Sequence, residues 1–285
     1  MTWWCAATGA PWTWDWQAFP GVWLFIALVV IPYVLALRRL EPRHLAGGDR
    51  AVTRREIVLF ALGVLALWVG LDWPVGLLAA GYLLSARTAQ YTLFVLVAPP
   101  LLLLGMPRWL LRRLLRGRVA LVAARRLSRP LLPLLVYNAV LIGVHLPPVV
   151  DGVGGSQLRS FALDVIVIAS GLVFWWPALA RLPELEPMGY PGRIGYLLLS
   201  VFVPTVPAVF FTYARYPIYE LYELAPRVSG IPAVADQQVA GLMMKTVGGL
   251  ILFTVMSVMF FRWHRIERDA ETLTGEAVSD VRRET

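Results

Sequence analysis

Seven apolar blocks, each close to the length that crosses a bilayer, dominate this chain and leave it few possible folds. They lie at about Gly21–Leu37, Ile57–Leu71, Leu77–Leu104, Leu131–Val149, Ser160–Leu179, Ile194–Tyr213 and Gln237–Phe261. A hydrocarbon core of roughly 30 Å takes about 20 apolar residues in a helix. In lipid every backbone N–H and C=O must find its partner within the protein, so these blocks predict helices. The expected fold class is all-α: a polytopic membrane helix bundle of about seven transmembrane helices over residues 1–268. Residues 269–285 read as a polar, disordered tail. Composition agrees, at 58% hydrophobic and 15% charged residues; a soluble domain is nearer half apolar and about a quarter charged. Pro99–Pro100 in the third block and Pro204 and Pro207 in the sixth predict kinks or breaks, which membrane helices tolerate when neighbours satisfy the freed carbonyls.

Arginine counts set the expected orientation. Of 26 Lys and Arg residues, 21 follow blocks one, three and five or lie in the C-terminal tail, against three (Arg159, Arg215 and Arg227) on the opposite side. The basic side belongs in the cytoplasm. The N-terminus is therefore expected outside and the C-terminus in the cytoplasm. Residues 1–19 carry no Lys or Arg and no early apolar run. The first block thus reads as a retained helix rather than a cleaved signal.

The net charge of +8 does not point to nucleic acid, because the basic residues flank apolar blocks. The implied partner is the lipid bilayer. Arg108–Arg129 mixes eight arginines with Trp109 and several leucines, a pattern that lies along a surface of anionic headgroups. Tyr213–Pro232 is expected to form the largest outer structure, and Trp3, Trp4, Trp12, Trp14 and Trp16 an outer aromatic belt. No nucleotide-binding, serine-hydrolase or zinc-protease motif is present, and no internal repeat.

Three charged residues interrupt the blocks: Arg87, Asp164 and Lys245. A charge within a span costs about 3 kcal/mol or more unless it is paired or hydrated. Gln90 and Tyr91 follow Arg87 at i+3 and i+4 and share its face. Asn138 and His145 share a face of the fourth block. Gln238, Gly241 and Lys245 form a stripe on the seventh. The economical geometry is one buried polar cluster of Arg87, Gln90, Tyr91, Asn138, His145, Asp164, Gln238 and Lys245 in the outer half, with Asp164 paired to Arg87, Lys245 or both. Such a cluster is either an ion pair fixing helix packing or a ligand, proton or metal site.

Metal donors are few. Cys5 is the only cysteine, and His44, His145 and His264 are the only histidines. His145, Met243, Met244 and Cys5 are the candidate ligands. Adjacent methionines point to different helix faces, and Cys5 and His145 each have structural readings. Asp236 reads as the N-cap of the seventh helix.

Several segments together carry a family resemblance. They are Trp12-Thr13-Trp14-Asp15, Ala98 to Pro107 (APPLLLLGMP), Asn138 with His145-Leu146-Pro147, Gly171 to Pro177 (GLVFWWP), and Asp236-Gln237-Gln238 with Ala240-Gly241. In this order and spacing, over roughly residues 12–265, the chain resembles the cytochrome c oxidase assembly factor CtaG family of bacterial inner-membrane proteins. The resemblance implies a seven-helix protein of the bacterial inner (cytoplasmic) membrane that matures haem-copper oxidases, with oxidase subunits as partners, copper delivery as its proposed task and no enzymatic activity. It also implies a His-Met-x-x-His stretch before the Pro-Pro segment and a histidine near the outer end of the fifth span. Here Arg87 and Tyr91 replace the first two histidines and Asp164 stands at the third position. Arginine has no lone pair to offer a metal. A salt bridge in place of a metal is the expectation that follows.

Three functions are compatible with this reading. One is an oxidase assembly factor. Another is a permanently bound accessory subunit of a respiratory complex that has lost the metal site. The third is a small proton or ion transporter, though duplicated halves are missing from the chain.

Overall fold

In a computed structural model the chain is helical, with no strand among the described residues. The structure describes residues 2–284 except 49, 180, 186, 187 and 229, and leaves aside the side chains of 43, 44 and 270–284. Five helical stretches are long and apolar enough to cross a membrane alone: Pro20–Pro42, Leu84–Gly105, Gln157–Leu179, Tyr190–Tyr213 and Ala233–Asp269. Two bent pairs bring the number to seven if each is one crossing, as the sequence predicts.

The chain begins with an extended segment and then α1 (Pro20–Ala46). The first bent pair is α2 (Arg54–Leu71) and α3 (Val75–Gly81), at 45°. Thr53 and Glu56 form a capping box that starts α2. The return leg is α4 (Leu84–Thr92), a π-helical turn (Leu93–Val97) and α5 (Ala98–Gly105). Two short amphipathic helices follow, α6 (Arg108–Leu114) and α7 (Arg118–Leu127). The second bent pair is α8 (Leu131–Gly143) and α9 (Pro147–Val153), at 67°. Next come α10 (Gln157–Leu179), the split span α11 (Tyr190–Ser200) and α12 (Phe202–Tyr213), the short α13 (Glu220–Glu223) and α14 (Ala233–Glu284).

The boundary between the second and third spans differs from the expected one. Leu77 does not open the third span; it lies in α3 and continues the second. Pro74 interrupts the ladder of α2, but a proline breaks a hydrogen bond without reversing the chain. The reversal comes at Leu83, in extended conformation (φ −132°, ψ 125°). Arg87 consequently sits in the first turn of its helix. The far end of α14 also departs from expectation: its backbone stays helical through the polar stretch read as a disordered tail. No proline follows Pro232, so nothing in the sequence forces that helix to stop.

The Pro99–Pro100 step is absorbed locally. Proline N cannot donate to the carbonyl four residues back, so Pro99 frees Val95 O. Trp175 Nε1 of α10 donates to that oxygen at 2.7 Å. The π turn closes with Ala98 N donating to Leu93 O. Gly171 of α10 lies against this turn, where an added Cβ would stand 2.8 Å from Phe94 O. Small residues let membrane helices approach this closely. Gly105 does the same for α5 on α2, where a Cβ would meet Phe60 N at 2.4 Å.

Arginine-rich segments collect at the end of the bundle away from the N-terminal segment. There Arg112 donates to Glu184 Oε1 at 2.9 Å, and Arg181 to Glu56 Oε1 at 3.0 Å and Met106 O at 2.8 Å. The opposite end holds the start of α4, α10 and α14, and the N-terminal segment folds back into it. Ala7 N donates to Gly154 O at 2.8 Å and Trp3 N to Gln157 Oε1 at 2.7 Å. Of the expected aromatic belt, Trp14 and Trp16 are exposed, whereas Trp4 is 1% exposed and belongs to the core.

Candidate functional site: a buried polar network at the N-terminal end

Arg87 and Asp164 meet at the centre of this end. Arg87 Nη1 lies 3.3 Å from Asp164 Oδ1, with side chains 8% and 4% exposed. The contact is single rather than a two-pronged fork, and other groups complete the coordination of both charges. Arg87 Nη1 also donates to Gln90 Oε1 at 2.8 Å, and Nε donates to Tyr222 OH at 3.4 Å. The guanidinium carbon sits 5.5 Å from the centre of the Tyr91 ring, within range of a cation–π attraction. Asp164 Oδ2 accepts from Trp4 Nε1 at 2.9 Å.

The network continues outward. Gln90 Nε2 donates to Gly70 O at 2.8 Å, and Tyr222 OH to Ala79 O at 2.7 Å. The N-terminal segment, α2, α3, α4, α10 and α13 are thereby joined through one ion pair. A buried polar group without a partner is costly in a low-dielectric interior, and a fully satisfied network rigidifies what it joins. Trp4 and Tyr222 are members that the sequence reading did not include. An indole or phenol in an aromatic-rich segment reads as belt, and only the folded chain shows which one turns inward.

Other expected members lie elsewhere. Lys245 is exposed rather than buried and does not reach Asp164; its Nζ donates to Thr205 Oγ1 at 3.0 Å. The reason is depth. At about 1.5 Å per residue, Arg87 is roughly 5 Å into α4, because that helix starts at Leu84 rather than near Leu77, Asp164 is roughly 10 Å into α10 and Lys245 is roughly 18 Å into α14. Gln238 is exposed, whereas its neighbour Gln237 is buried, accepting from Ile218 N at 2.8 Å and donating to Tyr216 O at 3.3 Å. The buried stripe of α14 runs through Asp236, Gln237, Ala240 and Gly241, one position off the predicted one. Asn138 is half-buried on α8, and its Oδ1 has no hydrogen-bond partner among the described residues.

Asp236 is not the cap of its own helix. It lies inside α14 and caps a different one, accepting from Leu84 N at 2.6 Å, from Ser85 N and from Ser85 Oγ. Those are the first amides of α4, which lack intrahelical partners. The cap fixes the turn from which Arg87 projects.

A family model for the cytochrome c oxidase caa3 assembly factor (Caa3_CtaG) matches residues 31–266. The chain belongs to this assembly factor family. Searches of curated proteins and of solved structures each found no match. The helices that carry the Caa3_CtaG match are those that build the polar network, apart from Trp4, which precedes the matched residues.

The donor set of this Caa3_CtaG member does not fit copper at the network. Arg87 has no lone pair, and both Asp164 oxygens already accept hydrogen bonds. Among the described residues no group of three or more His, Cys, Asp and Glu side chains could hold a metal ion. The four other candidates are dispersed in role. Cys5 Sγ donates to Leu71 O at 3.3 Å and is buried. His145 Nδ1 bonds Leu141 O at 2.7 Å, and its ring packs edge-on toward Tyr91 at 6.1 Å. Met244 lines a cavity with His145, while Met243 does not.

Proposed function

We propose that this chain assists the assembly of a bacterial haem-copper cytochrome c oxidase from within the inner membrane, as a non-enzymatic helical clamp rather than through a copper relay at its outer polar network. Family membership supports the assembly role. The observation that carries the finer reading is the Arg87–Asp164 pair, which fills positions where the family resemblance implies histidines. A guanidinium and a carboxylate supply helix-to-helix attraction without a metal. The arginine-rich end faces the cytoplasm in this reading, so the network and the folded-back N-terminal segment face the outside. Partner oxidase subunits and surrounding lipid are the contacts on which such a protein acts.

The test is a strain lacking this chain, complemented with the wild type or with Arg87→Met/Asp164→Leu. Assembled oxidase, measured as haem absorbance and activity in membranes, is expected to fall in the deletion and to recover with both forms. Unchanged oxidase in the deletion strain contradicts the assembly role. The chain's loss of metal donors also favours a permanently bound accessory subunit. Gentle solubilisation separates the two: an assembly factor co-migrates with the oxidase below one copy per complex, an accessory subunit at a fixed ratio.

A further inference from the structure

Lys245 is the only lysine in a chain whose other 25 basic residues are arginines. It lies in the middle of the apolar part of α14, twelve residues after Ala233 and sixteen before Phe261. Among the described residues its ammonium has one hydrogen-bond partner, the neutral hydroxyl of Thr205, and no carboxylate. A charge at that depth persists only where something compensates it, and an intramembrane ionisable group marks a functional site by default.

A cavity adjoins it. α8 packs on α10, α14 packs on α4 and α12, and between them remains a space of about 80 Å³. That is room for about two or three water-sized groups, enough for a small anionic head and the first carbons of a slender chain. Most of its wall is aliphatic, with Val140, Val167 and Leu252 among the lining residues. The polar lining includes Lys245, Thr205, Tyr91, Tyr137 and His145, with the hydroxyls of Thr88, Thr92 and Ser170 beside them. An apolar pocket with a small number of placed polar groups is the form that small-molecule sites take. Gly248, one turn from Lys245, keeps the wall open; a Cβ there would stand 3.6 Å from Leu96.

We propose that this intramembrane cavity binds the anionic oxygen head, carboxylate or phosphate, of a single-chain amphiphile, with the head on Lys245 and Thr205, its first carbons between α8 and α14 and the rest of the chain in the surrounding lipid. The anion supplies the charge that the fold leaves out, and the aliphatic walls accept the first carbons of a single acyl or isoprenoid tail. The site stands apart from the ion-paired network and does not depend on the assembly role.

Electron spin resonance of the full-length protein in neutral detergent tests this, with nitroxide-labelled stearate, its methyl ester and labelled lysophosphatidate as probes. One saturable, immobilised probe per chain is expected for the acids and none for the ester. The tighter of the two acids identifies the head group. Lys245→Met is expected to weaken the acid by roughly ten- to a hundredfold, the range for a charge-assisted hydrogen bond, while Lys245→Arg retains it. Gly248→Leu, which fills the cavity with the lysine in place, is expected to abolish immobilisation. Lysine-selective isotope labelling gives a single side-chain signal that must shift as the acid binds. The proposal is overturned if ester and acid bind alike, or if Lys245→Met binds the acid as the wild type does.

Discussion

Trp4 and Asp164, 160 positions apart in the chain, are joined by a 2.9 Å hydrogen bond from indole Nε1 to carboxylate Oδ2. That oxygen is the one Arg87 leaves free. The bond holds the extended N-terminal segment inside the bundle and completes the hydrogen bonding of a buried carboxylate. Replacing Trp4 by Phe keeps the ring and removes the donor. A hydrogen bond to a charged group is worth about 1.5–3 kcal/mol. Limited proteolysis of the detergent-solubilised protein is expected to cleave residues 2–19 faster in Trp4→Phe than in the wild type, with the helical core intact.

The ion pair makes an asymmetric prediction. Losing one partner of a buried pair costs about 3–5 kcal/mol because a charge is left unpaired, whereas replacing both by apolar residues is often neutral. Arg87→Met and Asp164→Leu are each expected to lower the thermal midpoint in detergent markedly. The double variant is expected to regain most of the loss. Additive losses in the double variant would show that the two residues do not act as a pair.

Asp236 makes a prediction about a helix other than its own. Its carboxylate caps α4, and removing a capping side chain costs about 0.5–2 kcal/mol. Asp236→Ala is expected to raise hydrogen exchange at Leu84 and Ser85 while leaving the first turn of α14 unchanged. Faster exchange confined to Ala233–Gln237 would restore the sequence-based reading of Asp236 as the cap of its own helix.

Outside the membrane-spanning segments, the Arg112 guanidinium bonded to Glu184 holds its carboxyl below the ordinary value of 4.5. A carboxylate depressed on folding adds stability above its unfolded pKa, and that stability is lost as pH falls through the folded value. Both side chains are about half exposed, so solvent screening keeps the effect small. Glu184→Gln is expected to leave the midpoint at pH 7 nearly unchanged and to flatten its decline below about pH 4.5. A large loss at pH 7 would contradict the weak surface role.

The apolar blocks made the number and composition of the spans legible, because the need to satisfy backbone groups in lipid leaves few alternatives. Arg87 and Asp164 were legible as candidates for the same reason: each is a charge where charges are costly. What was not legible is where each helix begins. The blocks place the turn between the second and third spans between Leu71 and Leu77, yet the chain reverses at Leu83. A helix start taken near Leu77 placed Arg87 at about the depth of Lys245, whereas in the fold Arg87 lies three residues into α4 and Lys245 twelve residues into α14. Trp4 and Tyr222 entered the network through long-range contacts for which periodicity carries no signal. Asp236 satisfied the local pattern of a cap and serves a distant helix instead.

The central claim is that the polar network at the N-terminal end is an ion-paired clamp and not a metal site. Titration of the purified protein with Cu(I) against a competing chelator tests it most directly. The expected result is no tight one-to-one binding. Tight, stoichiometric binding that survives Cys5→Ser and His145→Ala, and disappears with Asp164→Leu, would contradict it.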